Sequence, residues 1–183
     1  QDFLTMVLEA MKENRVLEIT HRAFTVNETK TYLVEPYCVK LSGGRWYMLA
    51  RSVEKGRLLL YSFDRLEHVR TTGQKFELPR DFVAKDYFAD FFGIVIDENV
   101  PLQRIVLRAD KYHQYYMRTL PMHYSQRELF SCDDYADFEL TLRPTYDFYM
   151  RLMSWGNMIK VLEPQSLQDE LRKWLRKTME VYE

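Results

Sequence analysis

Two arginines and two tyrosines, spread over two neighbouring apolar runs, are the residues of this 183-residue chain whose chemistry is easiest to name. In "RWYMLARS", residues 45–52, period-two alternation sends Trp46, Met48 and Ala50 to one face of a strand and Tyr47, Leu49 and Arg51 to the other. The first face is core. The second projects a phenol and a guanidinium in one direction, and neither is comfortable when buried alone. In the next run, "RLLLYSFDRL", Tyr61 and Ser62 precede Asp64 and Arg65, so a second guanidinium reaches the same region. Guanidinium forks make bidentate, charge-assisted bonds to phosphate oxygens, and phenol rings stack on nucleobases. The same residues have a purely internal use, with Asp64 pairing Arg65 at the strand end and Arg51 meeting a carboxylate such as Glu35. On the residues alone both uses stay open.

Catalytic signatures are missing. The chain contains no G-x-S-x-G, H-E-x-x-H, Walker loop or G-x-G-x-x-G, and its six glycines fall at turns and helix ends. The acidic pairs Asp133-Asp134 and Asp97-Glu98 sit in turn-like stretches, where solvated carboxylates are the ordinary reading. Cys38 and Cys132 are far apart and form neither a CxxC pair nor part of a His-rich cluster, so no metal, cofactor or disulfide framework is expected. The chain reads as a non-enzyme.

Of the four histidines, His21 lies in "LEITHRAF", where alternation puts it on one face with Leu17, Ile19 and Ala23. A satisfied core imidazole and a ligand contact are both compatible with that placement. His68 reads as a solvent-side strand residue, His113 as a surface residue of a tyrosine-rich helix, and His123 as a packing or capping residue after Pro121.

These side chains need elements to hold them. "DFLTMVLEAMKEN" spaces Leu4, Val7, Leu8 and Met11 as one face of a lead-in helix that stops at Asn14. Then "VLEITHRAF", "TYLVEPYCVKL", "RWYMLARS" and "RLLLYSF" read as strands, and "DRLEHVRTT" supplies a fifth. Short, closely spaced strands of this kind predict a small antiparallel β-barrel, SH3-like or OB-like, over residues 16–96. That span includes a connector opened by Pro79, in which Phe88, Phe91 and Phe92 crowd a short helix capped by Gly93. The polar stretch 97–103 is the domain boundary. Residues 104–183 then read strand, helix (Asp110 to Leu120), strand, strand, helix, strand and helix. That is a ferredoxin-like βαββαβ pattern with a C-terminal helix N-capped by Ser166, giving an α+β chain of two domains after the lead-in residues 1–15.

With 26 Lys and Arg against 27 Asp and Glu, the net charge of -1 provides no global field to draw nucleic acid or anionic lipid, so any phosphate grip is local. No apolar run approaches a membrane span and no signal peptide is present, which predicts a cytoplasmic protein without membrane contact. The first residue is Gln1, the mark of a trimmed or processed chain.

Several motifs together resemble a known family. "YLVEPY", "RWYMLARS" and "LYSFDRLEHV" are similar to the WYL domain, whose Trp-Tyr-Leu run appears here as Trp46-Tyr47-Met48 and whose following Asp-Arg-Ile appears as Asp64-Arg65-Leu66. "LPMHYSQ" and "MSWGNMIKVLEPQSLQDELRKWL" resemble the C-terminal extension that accompanies it, so the likeness runs from about Val16 almost to the end. The resemblance implies a ligand-sensing module of a bacterial transcription regulator, joined in relatives to an N-terminal winged helix-turn-helix that this chain lacks. It implies an SH3- or Sm-like fold for the barrel, a nucleotide or single-stranded nucleic-acid effector, DNA contact only through the missing domain, and homodimerisation. Carried over by position, the ligand contacts are His21 (often Tyr in relatives), Tyr47, Arg51, Tyr61, Ser62 and Arg65. Leu59 stands where relatives have an arginine, so one phosphate-binding charge is missing from the pattern, and Arg57 or Arg22 are the nearby cations. A competing reading is a pure dimerisation module, with Met153, Trp155, Met158 and Trp174 as apolar contact residues.

Overall fold

The computed structural model describes residues 2–23 and 28–183. They form an α+β chain with two antiparallel sheets and five α-helices, divided into the units Gln1–Ala84 and Lys85–Glu183.

In the first unit, helix α1 (Phe3–Lys12) starts where the Asp2 carboxylate accepts the Leu4 N–H at 3.1 Å. It ends before Asn14, which takes a left-handed φ of 51°. Five strands follow: β1 (Arg15–Ala23), β2 (Glu28–Ser42), β3 (Arg45–Ser52), β4 (Leu58–Ser62) and β5 (Leu66–Lys75), in the order β4-β3-β2-β1-β5. Gly43 and Gly44, both at positive φ, make the two-residue turn between β2 and β3. The 15-residue β2 pairs with β1 through its first half and with β3 through its second, and an irregularity between Pro36 and Cys38 marks the change. Proline has no N–H to give a ladder, so a bulge is where the strand tolerates it.

The sheet buries one face under α1. Val7, Leu17, Ile19, Val34, Met48 and Ala50 are the centre of that core, and each fully buried aliphatic side chain contributes about 1.5–3 kcal/mol. The barrel expected from the strand spacing is not closed: among the described residues no pairing joins the edge strands β4 and β5. Short strand spacing predicts curl, but closure needs a register between the outer strands that spacing does not encode.

The second unit contains β6 (Gln103–Asp110), α3 (His113–Thr119), β7 (Arg127–Ser131), β8 (Tyr135–Leu142), α4 (Tyr146–Ser154), β9 (Ile159–Glu163) and α5 (Gln165–Glu180), with sheet order β7-β8-β6-β9. Ile105, Leu107, Phe138, Leu140, Phe148 and Leu167 pack between the sheet and its helices. The expected Phe-rich connector helix is reduced to one turn, α2 (Ala84–Tyr87), and Gly93, at φ 81°, lies against Asp147. Helix α3 begins at His113 because Asp110 still pairs with Tyr135 in the sheet while its carboxylate accepts the Tyr112 and His113 N–H groups. Helix α5 starts at Gln165 behind Pro164 with no side-chain cap, so Ser166 lies inside it.

Candidate ligand-binding site

Residues opposite each other in an antiparallel ladder share a face. The register pairs Met48 with Tyr61 and Ala50 with Leu59, so Tyr61 belongs to the core face. His21 is on that face too, continuing Leu17 and Ile19 toward the end of β1. The two rings meet edge-on with centroids 5.5 Å apart at 84°, and Tyr32 from β2 reaches Tyr61 at 5.9 Å. Lys55, in the β3–β4 turn, places its ammonium 5.8 Å from the Tyr32 ring centre.

Two polar atoms here are buried without a hydrogen-bond partner among the described residues: His21 Nε2 and the Tyr61 hydroxyl. Such groups are uncommon, because each carries its desolvation penalty uncompensated. Burial pushes the Tyr61 phenol up to about 12, offset in part by the nearby Ser52 hydroxyl. That hydroxyl does not reach bonding geometry with the phenol, and its oxygen accepts the Lys55 N–H at 3.2 Å. His21 is held below its ordinary range first by burial and then by the positive charge of Arg65, with Asp64 acting in the opposite sense. The corner thus offers a neutral phenol and a neutral imidazole beside the field of Arg65.

The other face holds the remaining candidates. Tyr47, Leu49 and Arg51 stand across from Ser62, Leu60 and Leu58. The expectation that both phenols and both guanidiniums project from one side is therefore corrected: Tyr61 lies on the core face and Tyr47 and Arg51 on its reverse. Arg51 meets Glu35 at 3.3 Å, the internal pairing foreseen as its other use. Ser62 is buried and its hydroxyl donates to Asp64, whose second oxygen takes Arg45 at 2.8 Å. Ser62 and Arg65 bracket the short helical turn Phe63–Arg65 at the end of β4.

Tyr32, Ser52 and Lys55 belong to the same corner and were not among the residues expected from the sequence. Tyr32 was within reach, since it lies two positions before the core residue Val34 on the same alternation. Lys55 sits in a turn, where alternation says nothing. Among the described residues no group of three His, Cys, Asp or Glu is placed to hold a metal ion, and no helix is long and apolar enough to cross a membrane.

The WYL domain matches residues 2–71 and the WCX domain matches residues 101–179. The chain belongs to the WYL-domain family. Its WYL match runs from α1 into β5 and so contains every residue of the corner just described. No curated protein matches the sequence at a significant level. Among solved structures, the WYL-domain chain is similar to a CRISPR Cas-related protein, with 11% identity and a TM-score of 0.51 over 98% of this chain and 51% of that one. It also matches proteasome accessory factor B/C (PafBC) of Arthrobacter aurescens, at 19% identity and a TM-score of 0.45 over 92% of this chain and 25% of that one. The chain therefore spans about a half and a quarter of these two.

Proposed function

We propose that the chain is the effector-sensing and dimerising part of a bacterial transcription regulator, and that a nucleotide or single-stranded nucleic-acid anion binds at the His21–Tyr61–Arg65 corner of its WYL domain. One observation carries the reading: His21 Nε2 and the Tyr61 hydroxyl, on two rings that meet edge-on, are both buried and without a hydrogen-bond partner among the described residues. A donor–acceptor pair of this kind recognises a polar edge, and Arg65 adds the charge that a phosphate requires. Tyr47, Arg51 and Ser62 lie round the edge strand β4, within the path of a strand of nucleotides that crosses it. A mononucleotide occupies one face only. The reading implies a regulator rather than an enzyme, with an SH3-like curl in the five-stranded sheet and a ferredoxin-like order in the four-stranded one.

Binding of a short single-stranded oligonucleotide and of a mononucleotide panel, measured by calorimetry with His21→Leu and Tyr61→Phe beside the native chain, tests the proposal. Losses of about tenfold or more in both folded variants are expected. Unchanged affinity in both refutes the site.

A second reading, an interaction module without a small ligand, is favoured by a different observation. Edge strand β7 is exposed along all its residues, including Leu129 and Phe130, and α3 with the following turn exposes Tyr115, Tyr116, Leu120 and Tyr124. Unpaired edges flanked by exposed apolar side chains are sites of association. Of the four contact residues expected from the sequence, Met153, Trp155, Met158 and Trp174, the two tryptophans also meet His113 and Tyr149 within the unit.

A further inference from the structure

The second unit contains an open cavity of about 410 Å³ far in sequence from the WYL corner. Its walls are the polar stretch after Gly93, the turn between β8 and α4, and the facing sides of α4 and α5. Three aromatic rings line it as a continuous corner: Tyr149 stacks on Trp174 with centroids 5.6 Å apart and planes within 7°, and Tyr146 meets Trp174 at 5.5 Å and 56°. Asp97 and Glu170 are its acidic lining residues, Val95, Val100 and Pro144 add apolar wall, and no lysine or arginine is part of the lining.

Neighbouring donors fix both carboxylates. Glu170 accepts the Trp174 indole N–H at 3.1 Å through one oxygen and meets Lys173 at 3.1 Å through the other, and these bonds hold its carboxyl below the usual range. Lys173 is well exposed, and a solvent-screened pair of this kind yields readily to a better-placed cation. Asp97 uses one oxygen to accept both the backbone and the side-chain N–H of Asn99 at 3.0 Å. Its other oxygen takes no partner among the described residues. Aromatic faces present the negative side of the ring quadrupole, and carboxylates beside them add full charge. An anion meets repulsion here, and a neutral apolar group leaves the acids uncompensated.

We infer that this cavity is a binding site for an organic cation of alkylammonium or guanidinium type, seated against Tyr146 and Trp174 and neutralised by Asp97 and Glu170. The inference stands independently of the proposed anion effector, since it uses a different unit and the opposite charge.

The test is a titration of the whole chain with tetramethylammonium and with guanidinium, followed by the indole N–H resonances of its three tryptophans. Neopentyl alcohol, a neutral molecule of similar bulk, is the control. The Trp174 resonance is expected to shift with millimolar or tighter affinity for at least one cation, and at least tenfold more weakly for the alcohol. Tyr146→Leu, at a half-exposed position, and Asp97→Asn are each expected to weaken the cation at least fivefold while their melting curves stay native-like. Equal response to the alcohol, or native affinity in both folded variants, overturns the inference.

Discussion

The Tyr61 ring receives the His21 imidazole on edge at 5.5 Å, and each contributes a buried polar atom with no hydrogen-bond partner among the described residues. A phenylalanine and a leucine would fill the same volume without the desolvation cost.

That cost predicts the sign of one substitution. Tyr61→Phe deletes the orphaned hydroxyl and keeps the ring, so the unliganded chain is expected to gain about 1 kcal/mol rather than lose it. Urea denaturation with an unchanged m-value checks this. A loss of stability beyond about 1 kcal/mol would mean that the hydroxyl is bonded internally, with Ser52 the obvious partner.

Arg51 offers a way to weigh the reverse face. Its pair with Glu35 is half-exposed on the arginine side, so breaking it is expected to cost at most about 1 kcal/mol. If an oligonucleotide crosses β4, Glu35→Gln releases the guanidinium and tightens oligonucleotide binding several-fold, leaving mononucleotide binding unchanged. Equal effects on both ligands would contradict the two-faced path.

Gly93 is expected to be intolerant of any side chain. At φ 81° a Cβ would stand 2.2 Å from Asp147 Oδ2 and 2.8 Å from its Cβ, and Asp147 Oδ2 accepts the Ile94 and Val95 N–H groups at 2.7 and 3.1 Å. Gly93→Ala must strain the backbone and displace that carboxylate, at roughly 2–3 kcal/mol. A drop in melting temperature of roughly 10 °C is the expected readout.

The pH dependence has a defined sign. Burial lowers the pKa of His113 and His21 below the usual 6.5. The unfolded chain therefore takes up protons at a higher pH than the folded one, and stability present above 6.5 is lost as pH falls through the lowered values. His113, edge-on to Trp155 at 4.5 Å with Asp110 opposing its shift, is expected to account for part of this loss. Melting scans from pH 7.5 to 5 should show a shallower fall for His113→Phe than for the native chain, and parallel curves would contradict the assignment.

The strands of the first unit and the inward placing of Met48 and Ala50 were legible because alternation and turn residues are local, whereas Trp46, expected to share their core face, is exposed and Leu49, expected on the other face, is buried. The relative facing of Tyr47 and Tyr61 was not legible. It depends on the register between β3 and β4, which the turn Val53–Arg57 sets and no single-strand pattern reveals. Arg51's partner could be foreseen because Glu35 lies directly across in β2, a pairing that a hairpin closed by Gly43-Gly44 makes calculable but for the irregularity at Pro36. His113 was expected at the surface because its helix is rich in exposed tyrosines, yet it is buried against Trp155. The helix begins at His113 rather than at Asp110, where composition suggests. Strand spacing likewise indicated curl without deciding closure.

The most direct test of the central claim is the salt dependence of single-stranded oligonucleotide binding by the native chain, Tyr61→Phe and Arg65→Ala. Tyr61→Phe is expected to lose roughly tenfold in affinity at constant salt slope, as befits an uncharged contact. Arg65→Ala is expected to reduce the slope by about 1, the mark of one phosphate contact removed. Native affinity and native slope in both folded variants would contradict an anion site at this corner.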